Sequence, residues 1–302
     1  MEPTPPEPPV HCRQAAWQQF RGLLDEIESN RGLLGAALAI ATHADPTVDP
    51  CRVVAELQAI SDQVTARTSG RSVRATVAHA HEVLFEELGF HGDLEDYRNP
   101  ANSLVHLVLR RRRGLPISLA LIYKLVLERT GPIVVHGVNA PGHFLVRVEA
   151  REPGFSPMLV DPFHRGRALS TPEALAMIRG RVGDVIDQRD DPLPLATHRD
   201  WVLRMLRNLV GVYHERQRPD DRAAMEELAG DRIERGLVVT KDGHSAPLSK
   251  LSLRYAGHPL PDQRSEDAAR EAIALAEGAS PDEVLVVLLS GGTSALLTCP
   301  LP

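Results

Sequence analysis

Residues 131–150 read GPIVVHGVNAPGHFLVRVEA, and the pattern that begins there sets the fold class. Ile133 to Val138 and His143 to Val148 are short runs rich in β-branched residues, separated by Asn, Pro and Gly, as strands joined by a turn would be. Met158 to Val160 is a third such run. Upstream the period is helical. Trp17, Phe20, Leu23, Leu24 and Ile27 recur at three- and four-residue spacing, as do Val53, Leu57 and Ile60. His79 to Leu88 continues that period and stops at Gly89, a C-cap signal. Gly92 to Asn102 is rich in Asp, Asn, Gly and Pro and reads as a loop. Ser103 to Arg110 is a short helix, and Pro116 to about Arg129 a more apolar one with Pro in its first turn. A helical block followed by a strand block predicts an α+β fold with an antiparallel sheet. Ser170 to Arg179 and Trp201 to Arg216 return to helix, and the acidic stretch Asp187 to Pro194 reads as a linker.

The chain has 302 residues, 43% hydrophobic and 25% charged, with aromatics at only 4%. Its core is therefore built mainly from Leu, Val, Ile and Ala. A net charge of -6 argues against nucleic acid as a partner, which calls for a basic surface, and against anionic membranes. No apolar run approaches the roughly 20 residues that span a bilayer. Cys12, Cys51 and Cys299 are too scattered for a structural zinc site, so no metal is expected. Met1 to Val10 carries five prolines and no apolar stretch, a disordered tail rather than a secretory leader. A reducing cytoplasm is the expected location.

His143 and Asp161 are the residues most suited to chemistry. If their strands form a hairpin across Arg151 to Ser156, one register makes them diagonal neighbours on one face. A carboxylate there would hold the imidazole in one tautomer, as in a nucleophile–base–acid triad. A slip of one residue would separate them. By spacing alone, a strand histidine and a turn-forming Asp-Pro is the plainer reading. The basic run Arg110 to Arg113 reads first as a helix C-terminus offset by cations and second as a site for an acidic partner.

VLFEELGF (83–90), DYRNPANS (96–103), RRRGLPISLALIY (111–123), GVNAPGHFLV (137–146) and VDPF (160–163) occur in that order. The series resembles the bacterial family of regulators of sirC expression, over residues 50 to 216. That resemblance implies a papain-like, transglutaminase-type fold followed by tetratricopeptide-type helices, of which Trp201 to Tyr213 resembles only the first. In active relatives a cysteine opens the helix before the sheet, and the strands supply His and Asp. Here the cysteine's slot falls at Pro116, which has no nucleophilic atom. Ser118, one helical turn in, is the nearest substitute, completing a Ser118-His143-Asp161 triad. Cys12 and Cys51 are remoter ones. The resemblance therefore points to a non-catalytic fold that binds a protein or peptide partner without a cofactor, with a hydrolase or acyltransferase as the alternative.

After Arg218 the composition shifts. Gly236 to Thr240 and Val284 to Leu289 are continuous apolar runs of the parallel-sheet kind. Between them Ser265 to Ala276 is an amphipathic helix with Ser265 as N-cap and Gly278 at its end. GDRIERGLVVTKDG (230–243), GHPLPD (257–262) and LLSGGTSALL (288–297) resemble the N-terminal domain of bacterial glycerate 2-kinases. The resemblance implies a second alternative function, an incomplete glycerate 2-kinase-like phosphotransferase or nucleotide-binding activity, with ATP, magnesium and glycerate as ligands. Ser290, Gly291, Gly292 and Ser294 would form a phosphate-binding turn at a helix N-terminus, with His258 and Asp262 lining the substrate side. The family's upstream glycine-lysine segment is missing, and the region reads as an incomplete, Rossmann-like α/β piece fused to the first unit. The expected partition is a tail at 1–10, the transglutaminase-like domain at 11–198, a tetratricopeptide-like helix and linker at 199–222, and the kinase-like fragment at 223–302.

Overall fold

The computed structural model describes residues 9–68, 72–183, 191–229, 236–243, 251–278, 287 and 293–298. Two compact units divide the chain, Met1–Leu228 and Ala229–Pro302. The first opens with helices α1 (Gln14–Arg21), α2 (Asn30–Ala44), α3 (Pro50–Arg67) and α4 (Val73–His81), the last running into a π-helical turn, Glu82–Glu87. Their starts follow ordinary capping chemistry. Ser29 accepts from Gly32 N, and Asp49 accepts from Cys51 N with Pro50 at the first helical position. A two-residue parallel pair, β1 (His91–Gly92) with β2 (Arg113–Gly114), brackets α5 (Val105–Arg111).

Helix α6 (Pro116–Leu127) is the centre of the unit, and all 12 of its residues are buried. A helix apolar on every side must be surrounded, and α3, α5, α8 and the sheet enclose this one. The sheet is antiparallel throughout, in the order β6-β5-β4-β3-β7: β3 (Ile133–Val138), β4 (Leu145–Ala150), β5 (Met158–Asp161), β6 (Arg167–Leu169) and β7 (Leu195–Ala196). This is the helix-plus-antiparallel-sheet layout expected from the change of period at residue 131. His143 lies two residues before β4 instead of opening it, because Pro141 and Gly142 (φ +66°) spend those positions on a turn.

Three more helices follow: α7 (Thr171–Val182), α8 (His198–Glu215) and α9 (Pro219–Ala229). Trp201 in α8 is fully buried and donates through its indole N–H to Ile117 O at 3.3 Å. Gly137 makes room for it, since a Cβ there would stand 2.7 Å from the Trp201 ring. Within the expected 199–222 segment, α8 therefore packs into the core of the first unit, and a turn at Arg216 to Arg218 leads into α9. On α9, Glu227 accepts from the backbone N–H groups of Val10, His11 and Cys12, tying the start of the described chain to that helix.

The long edge of β3 is closed in an unusual way. β7 pairs only with Gly137 and Val138, so Val135, flanked by β4 on one side, has no strand on the other. Its N–H donates to Glu128 Oε1 at 2.6 Å, and its carbonyl accepts from Lys124 Nζ at 2.8 Å. The two side chains also pair with each other at 2.7 Å. One ion pair from the end of α6 thus stands in for a missing strand.

In the second unit, β8 (Leu237–Thr240) pairs in parallel with β9 (Ser252–Tyr255), and α10 (Gln263–Glu277) and the short α11 (Thr293–Leu296) complete what is described. Strand β9 falls outside the sequence expectation. The N-cap of α10 is Asp262, not Ser265, which occupies the third helical position in a reciprocal capping box. The expected strand at Val284 to Leu289 lies outside the described residues save Val287.

Candidate functional site

His143 and Asp161 meet as their residue types require. The β4–β5 register pairs Val146 with Val160; carried one step further it sets Leu145 across from Asp161, with His143 two residues before. His143 Nε2–H donates to Asp161 Oδ2 at 2.8 Å, and both side chains are shut off from solvent. The loop that carries His143 is fastened from α8. Arg204 donates to Ala140 O at 2.9 Å and to the Asn139 side chain, with its guanidinium 5.4 Å from the Phe144 ring centre. Gly142 is required by its positive φ and by Val182 Cγ1, 3.0 Å from where a Cβ would be.

Asp161 is more heavily used than its sequence suggests. Pro162 follows it, and the chain turns through a 3-10 segment, Pro162–His164, that Asp161 caps: Oδ1 accepts from Phe163 N at 3.0 Å and His164 N at 3.3 Å. Oδ2 accepts a second imidazole, His164 Nδ1–H, at 2.7 Å. The sequence pointed to His143 and Asp161 but not to His164. A signal was there, because an Asx-Pro turn carries its third residue back over the capping carboxylate. Phe163 meets the His143 ring edge-on, 5.9 Å between centres, and Tyr97 meets Phe163 edge-on in turn. Gly92 admits the Phe163 ring, which would lie 2.4 Å from a Cβ there.

The electrostatics assign protonation states. Burial alone would raise the Asp161 carboxyl, but the hydrogen bonds from His143 and His164 outweigh it and hold the group below its usual range. Burial pushes His143 down, against the pull of Asp161. The dyad is therefore an ionised carboxylate and a neutral imidazole at neutral pH. With the proton on Nε2, His143 Nδ1 is a bare lone pair, buried and without a hydrogen-bond partner. A general base in a papain-type arrangement offers that same lone pair to a thiol.

Among the described residues no nucleophile faces it in hydrogen-bonding range. Pro116 is the first residue of α6, a helix that packs against the Pro162–His164 turn. Ser118 is brought to the same helical turn but not to His143. Its single hydroxyl hydrogen is shared between Asn102 O at 2.5 Å and Leu115 O at 3.0 Å, and its oxygen accepts from Leu115 N, which commits it to capping. Cys12 is a buried thiol pushed up to about 12, first by burial and then by Glu227. Cys51 is exposed at the first turn of α3. The arginine run is structural in the main. Arg111 binds Asn102 and Asp93, Arg112 pairs with Glu56 and lies over Phe90, and Arg113 pairs with Glu95.

Residues 52–207 match the transglutaminase-like superfamily. The chain belongs to that superfamily. A UPF0162 protein of Xylella fastidiosa is 34% identical over 239 residues, 74% of this chain and 82% of the relative. The human F-box only protein 21 is 36% identical over 101 residues, 32% of this chain and 16% of that protein. Residues 221–302 match a domain of unknown function (DUF4147). A putative hydroxypyruvate reductase of Agrobacterium vitis is 43% identical over 65 residues, 22% of this chain but only 15% of that protein. No solved structure matches.

In the second unit, His258 is exposed. Asp262 is engaged in structure: its carboxylate receives Gly257 N, Ser265 N and Arg264, and the Arg264 bond foremost holds it below the usual carboxylate range. Ser290, Gly291 and Gly292, and the side chain of Ser294, lie outside the described residues, so the phosphate turn has no geometry here. Among the described residues no helix is long and apolar enough to cross a membrane.

Proposed function

We propose that the first unit is a non-catalytic, transglutaminase-fold binding domain with a regulatory role, like the regulators of sirC expression that its motifs resemble. One observation carries this reading: His143 Nδ1 is a buried, unpartnered acceptor, while the helix turn that would supply a nucleophile offers Pro116 and a Ser118 hydroxyl committed to capping. A buried polar atom without a partner costs about 1–3 kcal/mol. A ligand that brings an N–H or O–H to it recovers that cost without a bond being made or broken. A protein or peptide segment entering past the half-exposed Tyr97 and His164 is the ligand class that fits. The free thiols suit a cytoplasmic setting. ATP, magnesium and glycerate belong only to the resemblance of the second unit, where no described residue favours them.

Two measurements test the reading together. A fluorophosphonate should leave the full chain unlabelled, and iodoacetamide should fail to label the Cys51→Ser/Cys299→Ser chain, whose remaining thiol is the buried Cys12, under native conditions. Partners captured by the wild-type chain should be lost with His143→Asn and weakened with His164→Ala, with tryptophan fluorescence confirming that both variants fold. Covalent labelling at Ser118, or partner capture indifferent to both substitutions, overturns it.

A further inference from the structure

We propose that His143, Asp161 and His164 form a binding site for one divalent transition-metal cation of the zinc type. One ring nitrogen of each histidine and one carboxylate oxygen all lie within 4.8 Å of one another. Two imidazoles and a carboxylate suit Zn2+, Co2+ or Ni2+, whereas Mg2+ and Ca2+ want oxygen donors throughout. Three protein ligands leave coordination positions open for water or a partner's side chain. The support expected around such a site is present. Asp161 Oδ1 is held by two backbone N–H groups, which fixes the carboxylate, and the Phe163 edge walls one side of His143. His164, with 39% of its side chain exposed, is the way in.

Binding asks for a small, definable rearrangement. Zinc at about 2.1 Å from each ligand sets tetrahedral ligand atoms about 3.4 Å apart. The 2.7 and 2.8 Å hydrogen bonds to Asp161 must therefore open by about 0.6–0.7 Å. The exposed His164 ring, at the end of a short turn, is the group with room to swing. Each imidazole then presents a bare nitrogen to the ion and carries its proton on the other ring nitrogen. The proposal does not rest on the binding reading, which describes the metal-free chain: with metal on Nε2, His143 Nδ1 carries the proton and donates instead of accepting. Its failure is separable from the failure of that reading, because metal is measured directly and without a partner.

The test is a competition titration of Zn2+ against a chromophoric chelator, using tag-free full chain stripped of metal, with the visible absorption of the Co2+ form as a second readout. One ion per chain is expected, with the intense Co2+ bands of a four- or five-coordinate site. His164→Ala should weaken binding at least tenfold and bleach those bands. His79→Ala, at a half-buried histidine paired with Glu82, should change neither. Absence of zinc binding, or binding that His164→Ala leaves unaltered, overturns the proposal.

Discussion

Glu128→Gln is expected to destabilise the first unit by about 3 kcal/mol, read as a fall in the urea midpoint by tryptophan fluorescence. Both tryptophans, Trp17 and Trp201, belong to that unit, so the signal reports on it. Lys124 is buried with 6% of its side chain exposed and Glu128 with 12%, so neither charge is well hydrated. Breaking a buried pair by neutralising one partner strands the other, at a typical cost of about 3–5 kcal/mol. The low end applies because position 128 keeps some water and a glutamine amide there can still accept from Val135 N.

The double variant Lys124→Met with Glu128→Leu separates two accounts of the pair. If the two side chains were only opposite charges, apolar replacement would be neutral or stabilising. Here they also satisfy both outward backbone groups of Val135. Apolar side chains would leave those groups bare, at about 1–3 kcal/mol each, and would open a strand edge to other chains. The double variant should therefore stay at least about 2 kcal/mol below the wild type and scatter light on concentration. Full recovery of stability would show that water from the adjoining groove, which has a volume of about 670 Å³ and is lined by both side chains, takes over at Val135.

What the sequence made legible follows the strength of local signals. Helix α6 announced itself through Pro116 and an apolar run broken only by Ser118 and Lys124, and β3 and β4 through β-branched runs. The meeting of His143 and Asp161 was legible up to a choice of register, which the sheet resolves. His164 was hidden because its role arises from a 3-10 turn after Asp161, not from any strand period. β7 is two residues long, too short for alternation to register, and in β9 Arg254 interrupts the apolar run. Ser265 was misplaced as a cap because Asp262 and Ser265 bond reciprocally. Either type can cap, and only the backbone at Asp262 (φ -130°, ψ -176°) shows where the helix begins. Pro116 is the instructive case: the family resemblance puts the nucleophile's slot there, and the structure adds that the nearby Ser118 hydroxyl is engaged in capping.

Acidification from pH 6.5 to 4 is expected to remove at least about 3 kcal/mol of stability from the first unit, and His81→Gln should abolish roughly that part of the loss. His81 is pushed down to about 4 by burial, its Nε2 bonded to Tyr123 OH at 2.8 Å and its ring edge-on to Phe85. Among the described residues no ion pair to His81 offsets this. The sign follows from where protons bind first. An unfolded histidine protonates near 6.5, while the folded one stays neutral down to about 4, so between those values the unfolded chain holds the extra proton. Stability is complete above about 6.5 and falls by about 1.4 kcal/mol per pH unit below it until the folded group also protonates. His43, His106, His143 and His198 are also pushed down, burial leading in each, and each adds to the same acid-side loss. Asp161, held low, adds its share only below the ordinary carboxylate value. Glutamine at position 81 can still bond the Tyr123 hydroxyl but cannot take a proton. Its urea midpoints at pH 7.5, 6.5, 5.5 and 4.5 should therefore fall less steeply than those of the wild type. A wild-type curve flat across that range, or a His81→Gln curve parallel to it, would show that His81 protonates in the folded chain without penalty, which its burial against Phe85 and Tyr123 does not allow.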